Sequence, residues 1–215
     1  YDFYSAVVAK KAVRHTGYAG SVFVYLTRYL MANKNYLVNT VGLCAIACFL
    51  PLLFGEFQGL NMFPIGLAIL CLNTPICTLL SCDSDLEQAI RTLPGQAERF
   101  CRKYCLFIFA VNSIVAGIYL CSWQIISGGL NFFHIGTLFV FTLQSAILSV
   151  ILEWKHPIRG WKTESDLWHH PRKYLVPLIM LLIAAFVGTW TLALWLCATV
   201  LLIECCVLLF MTRRA

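Results

Sequence analysis

Long uncharged apolar runs, interrupted by short polar segments, form the pattern of this chain. Four stretches without Lys, Arg, Asp or Glu lie between Lys34 and Glu56, Glu56 and Asp83, Lys103 and Glu153, and Lys173 and Glu204. The run over 104–152 holds 49 residues. As one helix it would extend roughly 74 Å at ~1.5 Å per residue, against a hydrocarbon core of about 30 Å. The run must therefore fold back, and SGGLN at 127–131 supplies the turn.

The run after Lys173 is also too long for one crossing, and VGTWT around Gly188 is the expected reversal. The pattern therefore predicts an all-α integral membrane protein whose six-span transmembrane domain covers 37–211. The expected transmembrane helices lie at about 37–54, 62–80, 104–124, 132–152, 174–188 and 190–211.

Composition and charge agree with this class. Hydrophobic residues make up 60% of the chain and charged residues 12%, which lies outside the range of soluble globular proteins. All 16 Lys and Arg residues fall in four segments that share one side of the membrane: 1–36, 81–103, 153–173 and 212–215. By the positive-inside rule, we expect a multi-pass protein of the cell (plasma) membrane with both termini cytoplasmic. The net charge of +6 follows from this topology, so no nucleic-acid partner is expected.

The N-terminal segment, 1–36, contains an amphipathic stretch just before the first span. Between Ala19 and Lys34, apolar residues recur on one helical face at Val22, Phe23, Leu26, Tyr29 and Leu30. Such a basic and aromatic segment predicts a helix in the cytoplasmic interface of the membrane.

A short polar segment at 83–95 predicts a cytoplasmic helix between the second and third spans. Ser84 and Glu87 match a capping box, and Pro94 with Gly95 ends the helix. Leu86, Ala89, Ile90 and Leu93 form one apolar stripe. A helix of about nine residues is below the ~12–15 needed for marginal stability in water. The stripe must be covered, either by headgroups and neighbouring loops or by a groove on a separate protein.

The chain lacks the common signatures of enzymes and metal sites. It contains no phosphate-binding loop and no GxSxG motif, and we predict no catalytic residue. The 11 cysteines do not pair at zinc-site spacings, and they are expected to be packing residues. His169 and His170 beside Glu164 and Asp166 lack the spacing of a metal site. We therefore expect no bound metal.

Four polar residues inside the expected spans are candidates for a substrate path. They are Asn39, Asn112, Gln144 and Glu204. Packing between helices is the simpler reading for the amides. Glu204 is the only charge deep in a span, which makes it a functional candidate, although it is also close enough to the cytoplasmic end to reach Arg213 or water.

Two longer motifs carry a family resemblance. They are RYLMANKNYLVNT, which enters the first span, and DSDLEQAIRTLPGQAERFCRKYCLF, which enters the third. With six spans and internal termini, the chain resembles the permease subunits of type-two ATP-binding-cassette (ABC) exporters. The segment WKTESDLW falls where these permeases have their second cytoplasmic loop.

The resemblance implies a role for the short helix. In such permeases it docks on a cytoplasmic ATPase subunit, which assigns ATPase coupling to Asp85, Leu86, Glu87, Ile90 and Leu93, with a weaker second contact at Glu164 and Asp166. ATP and magnesium would be bound by that partner, and no cofactor by this chain. The resemblance also implies a second permease copy or a homologous half. Because the chain starts at Tyr1 without Met, we also consider that it is the second six-span half of a longer permease.

Other functions remain open at this stage. A stand-alone channel, carrier or scaffold would need no ATPase, and Glu204→Gln would be its most informative variant. An intramembrane enzyme acting on lipid or peptide would use His169, His170 and Glu164. For an exporter, the largely uncharged spans favour amphipathic or apolar cargo such as a peptide, a drug or a lipid-linked molecule.

Overall fold

Helices are the only regular elements in the described part of the chain. The computed structural model describes residues 22–32, 34–54, 61–71, 73–82, 84–92, 95–129, 131–158, 170–190 and 192–213. The helices are α1 (Val22–Ala32), α2 (Lys34–Phe54), α3 (Phe63–Leu70), α4 (Thr74–Cys77), α5 (Leu79–Cys82), α6 (Ser84–Thr92), α7 (Gln96–Ser127), α8 (Phe132–Lys155), a 3₁₀ turn (Pro171–Tyr174), α9 (Leu175–Thr189) and α10 (Ala193–Arg213).

Five of these helices are long and apolar enough to cross a membrane. They are α2 from Tyr36, α7, α8, the 3₁₀ turn continued by α9, and α10 as far as Phe210. The fold is therefore an all-helical bundle with five candidate membrane-spanning helices, as in a multi-pass membrane protein. The interiors of these helices carry the apolar residues that the uncharged runs predict.

The reversal expected at 127–131 is confirmed. Helix α7 ends at Ser127 and α8 begins at Phe132. Gly128 closes α7 with a left-handed φ of 60°, and its amide donates to the Gln124 carbonyl oxygen at 3.1 Å. Glycine adopts this conformation at little cost, which is why a helix ends here.

The third span is longer than predicted. Helix α7 starts at Gln96 rather than near 104. Its first turns bury Ala97 and Phe100 but expose Arg99, so a polar face continues the helix beyond the apolar run. We call this end of the bundle, where α7 begins and α8 ends, the basic end.

The prediction of one continuous helix over 62–80 is wrong. The segment forms three short helices, α3, α4 and α5, with a break at Cys71–Asn73. Pro75 lies in the first turn of α4 and has no amide hydrogen to donate to the carbonyl oxygen of Cys71, so the helix that ends at Leu70 does not continue into α4. Irregular backbone is tolerated at membrane depth when protein encloses it.

The broken segment runs through the centre of the bundle. At one end Phe63 stacks on Tyr119, with ring centroids 5.2 Å apart, and at the basic end Ser81 contacts Glu153. Most of its described side chains are buried. The packing is closest at Gly66, where an added Cβ would overlap the Tyr119 hydroxyl.

Helix α1 packs against α7 through its apolar side. Leu26 is buried, and Phe23 meets Phe107 edge to face with ring centroids 5.5 Å apart. Tyr29 and Leu30 pack against the same core. The chain itself therefore covers much of the face that the sequence assigned to the membrane interface.

Candidate functional site

Helix α6 lies against the ends of α7 and α8, and Leu86 and Ile90 of its apolar stripe face inward. Ile90 is only 6% exposed, and Leu86 packs against the same core, which includes Phe100 and Trp154. At these two positions the chain covers its own stripe. Of the two covers considered for the stripe, the structure shows the chain's own neighbouring helices at Ile90.

Arg91 fastens α6 to the last turn of α8. Its Nε donates to Glu87 Oε1 at 2.9 Å, and its Nη2 donates to the Trp154 carbonyl oxygen at 2.7 Å. The guanidinium carbon also lies 4.4 Å from the centroid of the Trp154 ring. A planar cation that both stacks and donates holds its neighbour in one orientation. The position of α6 is thus set by α8.

A buried ion pair joins three segments at the basic end. Glu153 is fully buried and accepts from the Ser81 amide and hydroxyl, each at 2.9 Å. Arg172, beside the start of α9, forms an ion pair with Glu153 and donates to the Ser81 hydroxyl at 3.3 Å. A buried carboxylate needs such partners, since removing one would leave an uncompensated charge. We call this set the Ser81–Glu153–Arg172 junction.

The junction and the α6 contact share one turn of α8. Glu153 holds α5 and the 3₁₀ turn that starts the fourth candidate span, and the adjacent Trp154 holds Arg91 of α6. The Ser81 hydroxyl also accepts from the Ile158 amide at 2.8 Å, which folds the chain after α8 back onto the same point. A displacement of α6 would therefore act on three neighbouring segments at once.

A narrow cleft opens beside the junction. It lies between the broken segment, α8 and the start of the fourth candidate span, and its walls include Cys77, Thr78, Ser149 and Arg172. All eleven cysteines, two of them in this cleft, are free thiols. The cleft is a concave surface at the basic end and lies next to the buried ion pair.

Helix α8 carries a line of buried polar side chains towards this cleft. They are Thr137, Thr142, Gln144, Ser145, Ser149 and Glu153. Several hydroxyls donate within the helix: Thr142 to the Leu138 carbonyl oxygen at 2.8 Å and Ser149 to that of Ser145 at 2.7 Å. These bonds satisfy the hydroxyls locally, as is common for Ser and Thr in membrane helices.

The structure divides the four predicted path residues between two places. Asn39 donates to Asn73 Oδ1 of the broken segment at 3.2 Å. The other three meet at α8, where Asn112 donates to the Ser145 hydroxyl at 3.2 Å and the side chain of Gln144 lies next to that of Glu204. The sequence therefore identified polar groups of the interior, and their role in a substrate path stays a prediction.

Several predicted coupling residues cannot be placed. Leu93, Glu164, Asp166 and His169 lie outside the described residues, as does the side chain of Asp85. His170 is described, and its Nδ1 accepts from the Arg172 amide at 3.3 Å at the start of the 3₁₀ turn. It therefore caps this turn.

Sequence reasoning missed the Ser81–Glu153–Arg172 junction. Glu153 marks the end of the long uncharged run, and Arg172 counts among the basic residues of one side. The sequence pattern assigns both to the segment 153–173 on one side of the membrane. One signal was available. Glu153 lies within one turn of an apolar run that contains Ser145 and Ser149, and this spacing predicts that the buried face of the helix continues to Glu153.

Comparison with known proteins yields no match: no protein-family model, no curated protein and no solved structure is similar to this chain. The fold and the site define a class, an all-helical protein with five candidate membrane-spanning helices and a short helix fastened at the basic end.

Proposed function

We propose that this chain is the permease subunit of an ATP-driven ABC exporter of the cell membrane, with ATP hydrolysed by a separate cytoplasmic ATPase. The observation that carries the proposal is the attachment of α6. Arg91 fixes this nine-residue helix to Trp154, next to the residue that anchors α5 and the start of the fourth candidate span. A short helix held this firmly is suited to transmit a push from a partner.

The proposed transmission runs through the last turn of α8. Closure of the ATPase displaces α6, Arg91 displaces Trp154, and Glu153 carries the shift to Ser81 and Arg172. Such a link biases a two-state equilibrium of the spans from a remote nucleotide site. The cleft beside Arg172 would change shape in the same movement, since it shares this residue with the junction.

The ATPase contact lies on the outward side of α6. Gln88 and Thr92 are exposed there, and Gln96 and Arg99 continue the surface onto α7. Leu86, Glu87 and Ile90 act from the inner side by holding the helix in place. Asp85 and Leu93 of the same segment, and Glu164 with Asp166, remain proposed contacts.

The complete exporter contains a second permease copy or a homologous half, as the sequence resemblance implies. Both termini are cytoplasmic, which puts the basic end beside the ATPase. The cargo is an amphipathic or apolar molecule such as a peptide, a drug or a lipid-like compound, because the spans offer few charges to a hydrophilic one.

The test is purification of the tagged chain from its native membranes under mild detergent, followed by an ATP hydrolysis assay. We expect an ATPase to co-purify, and a Gln88→Asp, Thr92→Asp variant to lose it while remaining folded. Gln124→Asp, exposed at the opposite end of α7, is the matched control. A chain that purifies without ATPase activity would contradict the proposal, as would full association of the double variant.

A further inference from the structure

Glu204 lies deep in the last candidate span. It is the twelfth residue of α10, about 16 Å along the helix axis from Ala193. That places it near the middle of a hydrocarbon core about 30 Å thick. An ionised carboxylate at this depth is costly unless a cation lies close by.

Among the described helices packed around α10, none carries a Lys or Arg at that depth. The sequence has no Lys or Arg over 104–152 or 174–212, which covers the interiors of α7, α8 and α9. The titratable residues nearest in the packing are thiols, Cys197 and Cys205 on α10 itself and Cys105 on α7. The polar side chain next to Glu204 is that of Gln144 on α8.

Two buried oxygen atoms of this pair show that a proton donor between them is missing. Gln144 is 1% exposed, yet its Oε1 has no hydrogen-bond partner, and neither has Glu204 Oε2, which is also buried. A carboxylate only accepts hydrogen bonds, so it cannot bond to an amide oxygen. A protonated carboxyl has one O–H to donate, and the forked shapes of a carboxyl and an amide allow two parallel bonds between them.

We propose that Glu204 is an intramembrane proton-binding site and that, with its proton bound, it joins α10 to α8 through two hydrogen bonds with Gln144. The Gln144 Nε2 donates to one carboxyl oxygen, and the protonated oxygen of Glu204 donates to Gln144 Oε1. This ring would pair both orphaned atoms with a single proton. It does not depend on the exporter assignment.

The proposed site matters most for how α10 is held in the bundle. This helix buries the smallest share of its span among the five candidates, 17%. Its buried contacts are mainly apolar, with Leu201 and Leu208 packed in the core that includes Ile147 and Val150. The two hydrogen bonds to Gln144 therefore fix the orientation of α10, which apolar contacts alone leave unspecified. Removal of the proton would break the ring, and α10 would no longer be held in this orientation.

Infrared spectroscopy of the full chain in lipid vesicles at neutral pH tests the proposal. The C=O band of a protonated carboxyl is separate from the carboxylate bands and shifts in D₂O. We expect such a band in the native chain and its loss in Glu204→Gln, whose amide keeps both hydrogen bonds to Gln144 and so preserves the fold. Glu98→Gln, near the start of α7, should leave the band unchanged.

A second variant tests the ring itself. In Gln144→Leu the band should persist but move to higher frequency, because the carboxyl loses its hydrogen-bond partner. The proposal is overturned if the native and Glu204→Gln spectra are the same in this region. It is equally overturned if the band appears only when sodium is replaced by choline, since Glu204 would then bind a metal cation, or if Gln144→Leu leaves its frequency unchanged.

Discussion

The guanidinium of Arg91 stacks on the indole ring of Trp154 and donates to the carbonyl oxygen of the same residue. The guanidinium carbon is 4.4 Å from the ring centroid, and the hydrogen bond is 2.7 Å long. One residue earlier, Glu153 holds Ser81 and Arg172. This one turn of α8 therefore connects the short helix α6 to the body of the bundle.

Loss of the Arg91 side chain should loosen α6. Arg91→Ala removes the stacking and the bond to Trp154, which together contribute about 1–3 kcal/mol to holding the helix. Hydrogen–deuterium exchange should show faster exchange of the α6 amides, with α7 and α8 unchanged. Arg99→Ala, on the exposed face of α7, is the control. Equal exchange in α6 of both variants would show that Arg91 does not hold the helix.

Removal of one partner from the buried ion pair should be more damaging than removal of both. Arg172→Gln leaves the fully buried Glu153 uncompensated, for which we expect a loss of about 3–5 kcal/mol. Arg172→Gln combined with Glu153→Gln should recover much of that loss, because no charge stays buried. Unfolding in detergent measures the native chain, the two single variants and the double variant. Additive effects of the two substitutions would contradict the coupling.

Ile90→Asp should destabilise the chain itself, with or without a partner protein. The side chain is 6% exposed, so the substitution places a carboxylate in an apolar core and should cost several kcal/mol, on the order of burying an unpaired charge. Gln88→Asp, on the exposed face of the same helix, should leave the melting temperature unchanged. If Ile90→Asp unfolds at the native temperature, α6 does not pack as described.

Gly66 should not tolerate a side chain. A Cβ there would overlap the Tyr119 hydroxyl, so Gly66→Ala should destabilise the fold by about 1–3 kcal/mol, as overpacking does. Combining it with Tyr119→Phe should relieve part of this cost. Gly117→Ala, which meets open space in α7, is the matched control in a thermal unfolding assay. Equal melting temperatures of the two alanine variants would refute the close approach.

Uncharged runs predicted most of the architecture. Five expected spans overlap candidate membrane-spanning helices, and the turn at Ser127–Asn131 is where length alone required it. These predictions succeeded because they depend on two simple quantities. The thickness of a bilayer is nearly constant, and the absence of charge is read directly from the sequence.

The arrangement of the helices inside the bundle was harder to predict from the sequence. The apolar composition of 62–80 gives no sign that the segment breaks into three helices, because an enclosed break does not need polar residues around it. The stripe of α6 predicted a covered helix, but an apolar face at Ile90 carries no information on whether the cover is its own chain or another. The buried state of Glu153 depends on Arg172, nineteen residues later, which a local pattern cannot relate to it.

Site-specific photo-crosslinking in native membranes tests the central claim most directly. A photoreactive amino acid replaces Gln88 on the outward face of α6, with Gln124 at the opposite end as the control, and mass spectrometry identifies the adducts. The account predicts that Gln88, and not Gln124, is crosslinked to a protein with a nucleotide-binding loop. Adducts of Gln88 with lipid alone, or the same adducts from both positions, would contradict it.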